Sequence, residues 1–320
     1  MLGQIAEIIR NHERFVITSH IHPDGDAIGS TMALKRGLER MGKQAWVINP
    51  DYTPAKFSNL DPSGEILVYE EETCFPILQN AQVHITVDVN TPKRIGKIAE
   101  ALRRLNLITI VIDHHPPDNH LGQYSHIVTS EAASGVLIYN LLECLGVTPD
   151  EEIARMLYVA IMTDTGGFRF SNTDSHCHQV VAQLIQAGAD PQELYGQVYE
   201  TDTLARFRLF QKVLLTAQFT AENQIVWMIC PRVFFEQTGT SNEDLEDMVN
   251  FPRCLADVEM SILFSEAEDN KVRVSFRSKN RVEVNQLAAR FGGGGHDRAA
   301  GALTRMSLEE AQAQIIAAAR

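Results

Sequence analysis

Three short apolar stretches, at residues 15–19, 83–87 and 107–112, each run straight into histidine or aspartate: His20, then Asp88, then Asp113-His114-His115. Their length and their flanks read as strands. A further strand is expected at 44–48. Between them, apolar residues recur at helical spacing over 27–41 (Ile28, Met32, Leu34, Leu38, Met41), stopping at Gly42, and a second helix is expected over 94–105. Alternating strands and helices build a parallel sheet. The carboxyl ends of its strands then share one edge, where open α/β sheets hold their ligands. Further helices are expected at 134–145, 150–162 and 174–187, the last ended by Gly188.

Length and composition set the frame around that sheet. With 320 residues the chain has room for two domains with separate cores, and 44 % apolar and 22 % charged residues are those of a globular protein. The pattern predicts an α/β first domain at 1–190, a helical connector at 191–220 and a smaller α+β domain at 221–320, with the active site in the cleft between the two. No apolar run approaches the roughly 18 residues of a membrane span. Residues 1–15 read as an amphipathic helix rather than a leader, and five scattered cysteines without a C-x-x-C pair suit a reducing, cytoplasmic setting. A net charge of -13 argues against a protein that grips long duplex nucleic acid by counterion release. Two dications would add four charges and bring that count to -9, so part of the acidity can belong to a metal site.

The segment His20-Ile-His22-Pro-Asp24-Gly-Asp26 lies between the first strand and its helix. By itself it reads equally as a polar turn with an aspartate helix cap or as a set of ligands for a hard or borderline divalent cation. Asp88 and Asp113-His114-His115 at the same sheet edge favour the cation. So does Asp164, at the end of an apolar helix, where a carboxylate facing the negative end of the helix dipole is unfavourable without a counter-charge. His22 reads as a loop residue. His176 and His178, two apart on a helix, point away from each other and make no zinc pair.

In the second domain, strands are expected at 225–230, 257–264 and 271–277, an acidic helical stretch at 243–249, a helix at 284–291 and a terminal helix from Ser307, capped with Glu310. The run Gly292-Gly-Gly-Gly-His296 fits neither helix nor strand, because each glycine carries an entropic cost on folding. Bare backbone at Gly293, Gly294 and Gly295 would instead let amide groups approach an anion, beside His296. Arg277-Ser278, at a strand end, offers a guanidinium fork for phosphate. Arg169 is a weaker candidate for the same task, between two aromatic residues expected in the core.

Taken together, H-x-H-P-D-G-D-A-I-G-S at residues 20–30, Asp88, Asp113-His114-His115, Thr163-Asp164-Thr165-Gly166 and the glycine-rich run through Gly301 resemble the DHH phosphoesterase superfamily with its associated C-terminal domain. The resemblance implies two divalent ions, most readily manganese. One would sit on His20, Asp24 and Asp88, the other on Asp26, Asp88, His114 and Asp164, with Asp88 shared and a water between them as nucleophile. It implies further that His115 faces the phosphate as a donor, acting with Asp88 in catalysis, and that Asp113 orients a histidine. The small residue common in the family at position 22 is replaced here by histidine.

The nano-RNase and pAp-phosphatase group is the most similar branch, implying hydrolysis of very short oligoribonucleotides and of 3′-phosphoadenosine 5′-phosphate (pAp), with no membrane partner and a homodimer left open. Phosphodiesterases of cyclic or linear dinucleotides are the rival enzymes, and a nucleotide-binding scaffold without activity is the rival of another class.

Overall fold

Each of the three apolar stretches that run into histidine or aspartate forms a strand in a computed structural model that describes residues 1–117 and 121–319. The chain divides into two units, Met1–Thr201 and Asp202–Arg320. In the first, α1 (Leu2–Arg10), β1 (Arg14–Thr18), α2 (Gly25–Arg40), β2 (Gln44–Asn49), β3 (Ile66–Val68), α3 (Glu71–Asn80) and β4 (Val83–Val87) come first. They are followed by α4 (Lys97–Arg103), β5 (Ile108–Asp113), β6 (Tyr124–Ile127), α5 (Ser134–Leu145), α6 (Glu151–Asp164), α7 (Ser175–Gln186) and α8 (Pro191–Tyr199). The six strands form a wholly parallel sheet in the order β3-β2-β1-β4-β5-β6.

Both faces of this sheet are covered at its centre, which is why β1 and β4 are buried at successive positions rather than at alternate ones. Phe15 and Ile17 of β1 pack with α1, α2, α5 and α6, whereas Val16, between them, packs with residues of α3 and α4 on the other side. The helix α2 lies against α6 so closely that a Cβ at Gly29 would overlap the Met156 carbonyl. The helix expected at 94–105 is shorter than the pattern suggests, because Gly96 has a left-handed φ of 56° and separates a 3-10 turn from α4.

The second unit contains α9 (Leu204–Leu214), β7 (Gln218–Phe219), β8 (Ile225–Cys230), α10 (Arg232–Thr238), β9 (Met260–Glu266), β10 (Val272–Ser278), α11 (Val284–Ala289), β11 (Gly294–His296), β12 (Ala299–Thr304) and α12 (Leu308–Ala319). Residues 191–220 are thus shared out, with α8 in the first unit and α9 and β7 in the second. The mixed sheet runs β11-β12-β10-β9-β8-β7. Val272, Val274 and Phe276 of β10 face a core closed by α11 and α12, and Leu263 and Met228 face another closed by α9 and α10. Ser307 and Glu310 cap α12 reciprocally, as expected.

Two expectations change here. The acidic stretch at 243–249 is two 3-10 turns, not a helix. The glycine run does enter a strand: Gly294, Gly295 and His296 pair with Gly301, Ala300 and Ala299. No helix among the described residues is long and apolar enough to cross a membrane.

Candidate metal centre

His20 follows β1 by two residues and is buried. Its Nδ1–H donates to the Ile21 carbonyl at 2.8 Å, which leaves the lone pair of a neutral imidazole on Nε2. That lone pair faces Asp88 Oδ2 at 3.2 Å and Asp24 Oδ2 at 3.9 Å. His114 repeats the arrangement at the end of β5. Its Nδ1–H donates to the Glu131 carbonyl at 3.2 Å, and Nε2 meets Asp164 at 3.3 Å, Asp88 at 3.5 Å and Asp26 at 3.9 Å. Nε2 of His114 is buried and has no hydrogen-bond partner. A lone pair set among carboxylate oxygens is an array of acceptors without a donor, and a cation is what such an array fits.

The carboxylates are held from behind. Asp24 caps α2 through the Ala27 amide at 3.0 Å, and its other oxygen stays toward His20. Asp26 accepts from Ser30 Oγ at 2.8 Å and from the amides of Ser134 and Gly135, at the start of α5, at 2.6 and 2.9 Å. Asp88 stands at a left-handed φ of 63° and accepts from Ser134 Oγ at 2.9 Å. Asp164 closes α6. Asp113 takes the Nδ1–H of His115 at 2.8 Å and an amide hydrogen of Asn90 at 2.6 Å, fixing the ring of His115 by the second-layer contact that orients metal-site histidines.

Three groups have ligand atoms close enough to share an ion: His20 with Asp24 and Asp88, Asp26 with His114 and Asp164, and Asp88 with His114 and His115. All six expected ligands therefore converge, with Asp88 in the middle. Ser134 and Gly135, which hold Asp26 and Asp88, and Asn90, which holds Asp113, had no signal in the sequence.

Burial raises Asp88 well above the ordinary carboxylate range, and Asp26, Asp24, Asp164 and Asp113 add to that. Asp26 is raised and His20 lowered, chiefly by the same desolvation. Burial, followed by repulsion from Asp26 and Asp24, pushes Asp164 up to about 8. A carboxyl raised on folding favours the folded state fully only below its unfolded pKa, and the contribution is lost as pH rises through the folded value. For Asp164 that window runs from its ordinary 3.8 to about 8. The melting temperature of the metal-free protein is thus expected to fall between about pH 4 and about pH 8. Manganese should raise it by more at the upper end, by about 5 °C or more when well above its dissociation constant. A manganese response that shrinks with rising pH would contradict this account.

Other sequence candidates lie elsewhere. His22 is exposed at a φ of 52°, with its amide donated to Asp51 at 2.7 Å. Arg169 is exposed and stacks over Phe170. In the second unit, Arg277, Ala299 and His296 fall on one row across β10, β12 and β11, so their side chains share a sheet face. Arg277 is half-buried and gives Nη1–H to the Phe276 carbonyl at 3.0 Å, whereas His296 is exposed. Ser278 is fully buried and donates its hydroxyl to the Val282 carbonyl at 2.6 Å, so it secures the turn after β10 instead of offering a donor outward. Gly293 and Gly295 are required by the strand pairing itself. A Cβ at either would strike the β12 backbone, whereas Gly292 and Gly294 face open space.

A parallel sheet that brings histidines and carboxylates together at its strand ends, followed by a second unit with a glycine-rich strand, describes phosphoesterases of one kind, and the chain belongs to the DHH family. The N-terminal domain of that family matches residues 14–161, and the DHHA1 domain matches residues 225–320. Among named proteins, the bifunctional oligoribonuclease and PAP phosphatase NrnA of Thermus thermophilus is 32 % identical, over 99 % of this chain and 92 % of its own. The protein of that name from Bacillus subtilis is 28 % identical over 94 % of this chain and 93 % of its own. The crystal structure of an exopolyphosphatase-related protein from Bacteroides fragilis superimposes with a TM-score of 0.93 at 27 % identity, covering 99 % of this chain and 94 % of that one.

Proposed function

We propose that this phosphoesterase hydrolyses very short oligoribonucleotides and pAp with two bound divalent ions, most readily manganese, in a cytoplasmic setting. The observation that carries the metal dependence is the buried, unpartnered Nε2 of His114 among three carboxylates. The substrate class rests on the full-length similarity to proteins named for those two activities. In this reading His20, Asp24 and Asp88 hold one ion, and Asp26, Asp88, His114 and Asp164 hold the other.

When bound, the ions supply Lewis acidity, which acidifies the attacking water and offsets charge on the phosphoryl oxygens. The protein groups do the rest. Ser134 and Gly135 keep Asp26 aimed inward, and the peptide of Ile21 keeps the lone pair of His20 on Nε2. Asp113 accepts Nδ1–H of His115 and fixes its ring, and His115 is the proposed contact to the phosphate. In the second unit, His296, Arg277 and the exposed amide of Gly294 are the proposed substrate contacts.

The test is manganese-dependent hydrolysis of pAp, a linear RNA dinucleotide, a pentanucleotide, cyclic di-AMP and pyrophosphate. Turnover of pAp and the short RNAs is the expected result. Preference for cyclic di-AMP or pyrophosphate would replace the proposed substrate, and no turnover of any of them would favour a binding protein.

A further inference from the structure

Asn172 has no part in the roles above, yet its side chain joins two segments that build the centre. Its amide nitrogen donates one hydrogen to the Ala132 carbonyl at 2.9 Å and another to the Asp164 carbonyl at 3.2 Å. Two carbonyl acceptors settle which end of the amide is the nitrogen. The other end, Oδ1, is buried and has no hydrogen-bond partner among the described residues. Leaving that oxygen unsatisfied is costly, and the two donated bonds are what the side chain gains in return.

Residues 131–135 hold most of the ligands that Asp164 would join. The Glu131 carbonyl accepts Nδ1–H of His114, the amides of Ser134 and Gly135 donate to Asp26, and the Ser134 hydroxyl donates to Asp88. Asp164 is the exception. Its carboxylate faces Nε2 of His114 at 3.3 Å but accepts no hydrogen bond among the described residues, and it is the last residue of α6, where helices fray. The chain then leaves through Gly166 and Gly167, at left-handed φ of 58° and 73°. The Phe168 amide, which a continuing helix would give to the Asp164 carbonyl, goes to Thr165 Oγ1 at 3.1 Å instead. Asn172 supplies the missing donor. Through Ala132 it also ties the one ligand without a support of its own to the segment that supports the others.

His20 and Asp24, on the other side of Asp88, are held by the Ile21 carbonyl and the Ala27 amide, and neither bond involves Asn172. We propose that Asn172 is a positioning residue for the ion on Asp26, Asp88, His114 and Asp164. It keeps the ligand atoms of Asp26, His114 and Asp164 within 4.8 Å of one another, so its loss weakens that ion and spares the one on His20, Asp24 and Asp88. The inference rests on the two-ion assignment of the proposed function.

The experiment is a calorimetric titration of manganese into the metal-free protein at about pH 8, where an exposed carboxyl is ionised, as wild type, Asn172→Ala, Asn172→Asp and Thr173→Val. Wild type should take up two ions. Both Asn172 variants should bind one of them about 10- to 100-fold more weakly, the usual cost of losing a group that orients a ligand, and hold the other as before. Asn172→Asp is the stringent case, because an ionised carboxylate matches the amide in shape, cannot donate, and adds a charge that favours cations in general. Thr173 has a buried hydroxyl without a hydrogen-bond partner among the described residues, so valine there disturbs the same segment without touching the two bonds of Asn172, and both ions should bind as in wild type. Hydrolysis of pAp by the Asn172 variants should need more manganese and recover when it is supplied. Melting of the metal-free variants checks for a general loosening, which would weaken both ions together. The inference is overturned if both ions weaken alike, if neither does, or if Thr173→Val behaves like Asn172→Ala. Wild type that takes up a single ion would overturn it as well. Selective loss of one ion in the Asn172 variants, with no turnover of pAp or short RNA by wild type, would defeat the proposed substrates and leave this assignment standing.

Discussion

Asp88→Asn is expected to lower hydrolysis of pAp by at least about a thousandfold, the equivalent of roughly 4 kcal/mol of transition-state stabilisation at a metal site. Among the described residues Asp88 is the one carboxylate within reach of His20, His114 and His115 alike, so its loss affects two of the three candidate ligand groups. Asparagine is the informative replacement. The residue stands at a φ of 63°, where asparagine is tolerated far better than a β-branched or bulky residue, and its amide oxygen can still accept from Ser134. The same substitution removes a carboxylate that burial and four neighbouring aspartates disfavour. Without metal, at alkaline pH, the variant should therefore melt above the wild type, a gain in stability bought with function. Retained turnover, or a lower melting temperature under those conditions, would contradict the role given to Asp88.

Gly29→Ala should be the most damaging single methyl in the first unit. The new Cβ would overlap the Met156 carbonyl, a backbone atom that cannot rotate away, and would also crowd Ala160. Overpacking of this kind costs about 3 kcal/mol, or roughly 5–12 °C in a unit of this size. The damage should reach the centre as well, because α2 carries Asp24 and Asp26 at its start and α6 carries Asp164 at its end. Manganese affinity should fall together with the melting temperature. Gly294→Ala, where nothing lies within 4 Å, is the control and should shift stability by no more than about 0.5 kcal/mol. Equal melting of the two variants would rule out the close α2–α6 contact.

The part of the candidate centre formed by His20, Asp88 and Asp113-His114-His115 was legible because these residues come at strand ends, where an apolar run meeting aspartate or histidine marks both the element and its end. What supports them was not. Ser134, Gly135 and Asn90 reach Asp26, Asp88 and Asp113 from segments distant in the chain, and no local pattern announces a proximity of that sort. The short strands β3 and β6 escaped because they are only partly buried, so their apolar signal is weak. The strand β12, Ala-Ala-Gly-Ala-Leu-Thr, is built mostly of small residues with low β preference and is held by its neighbours rather than by propensity. The same pairing explains the misread glycine run, in which backbone proximity to β12, not only to a ligand, demands the missing side chains.

Because β1 lies inside the first sheet, the chain's earliest strand gains its second neighbour only from far along the chain. Phe15 pairs with Val83, 68 positions later (83 − 15), and residues 20 and 164 must both be placed before the full set of ligands exists. Contacts of such long sequence separation form late and set a slow pace of folding. As the chain leaves the ribosome, an ion can meet His20 and Asp24 well before Asp88, His114 and Asp164 have been synthesised. A bound ion would then act as a lock on a finished sheet and not as a seed for it, prolonging the life of the folded unit without hastening its birth.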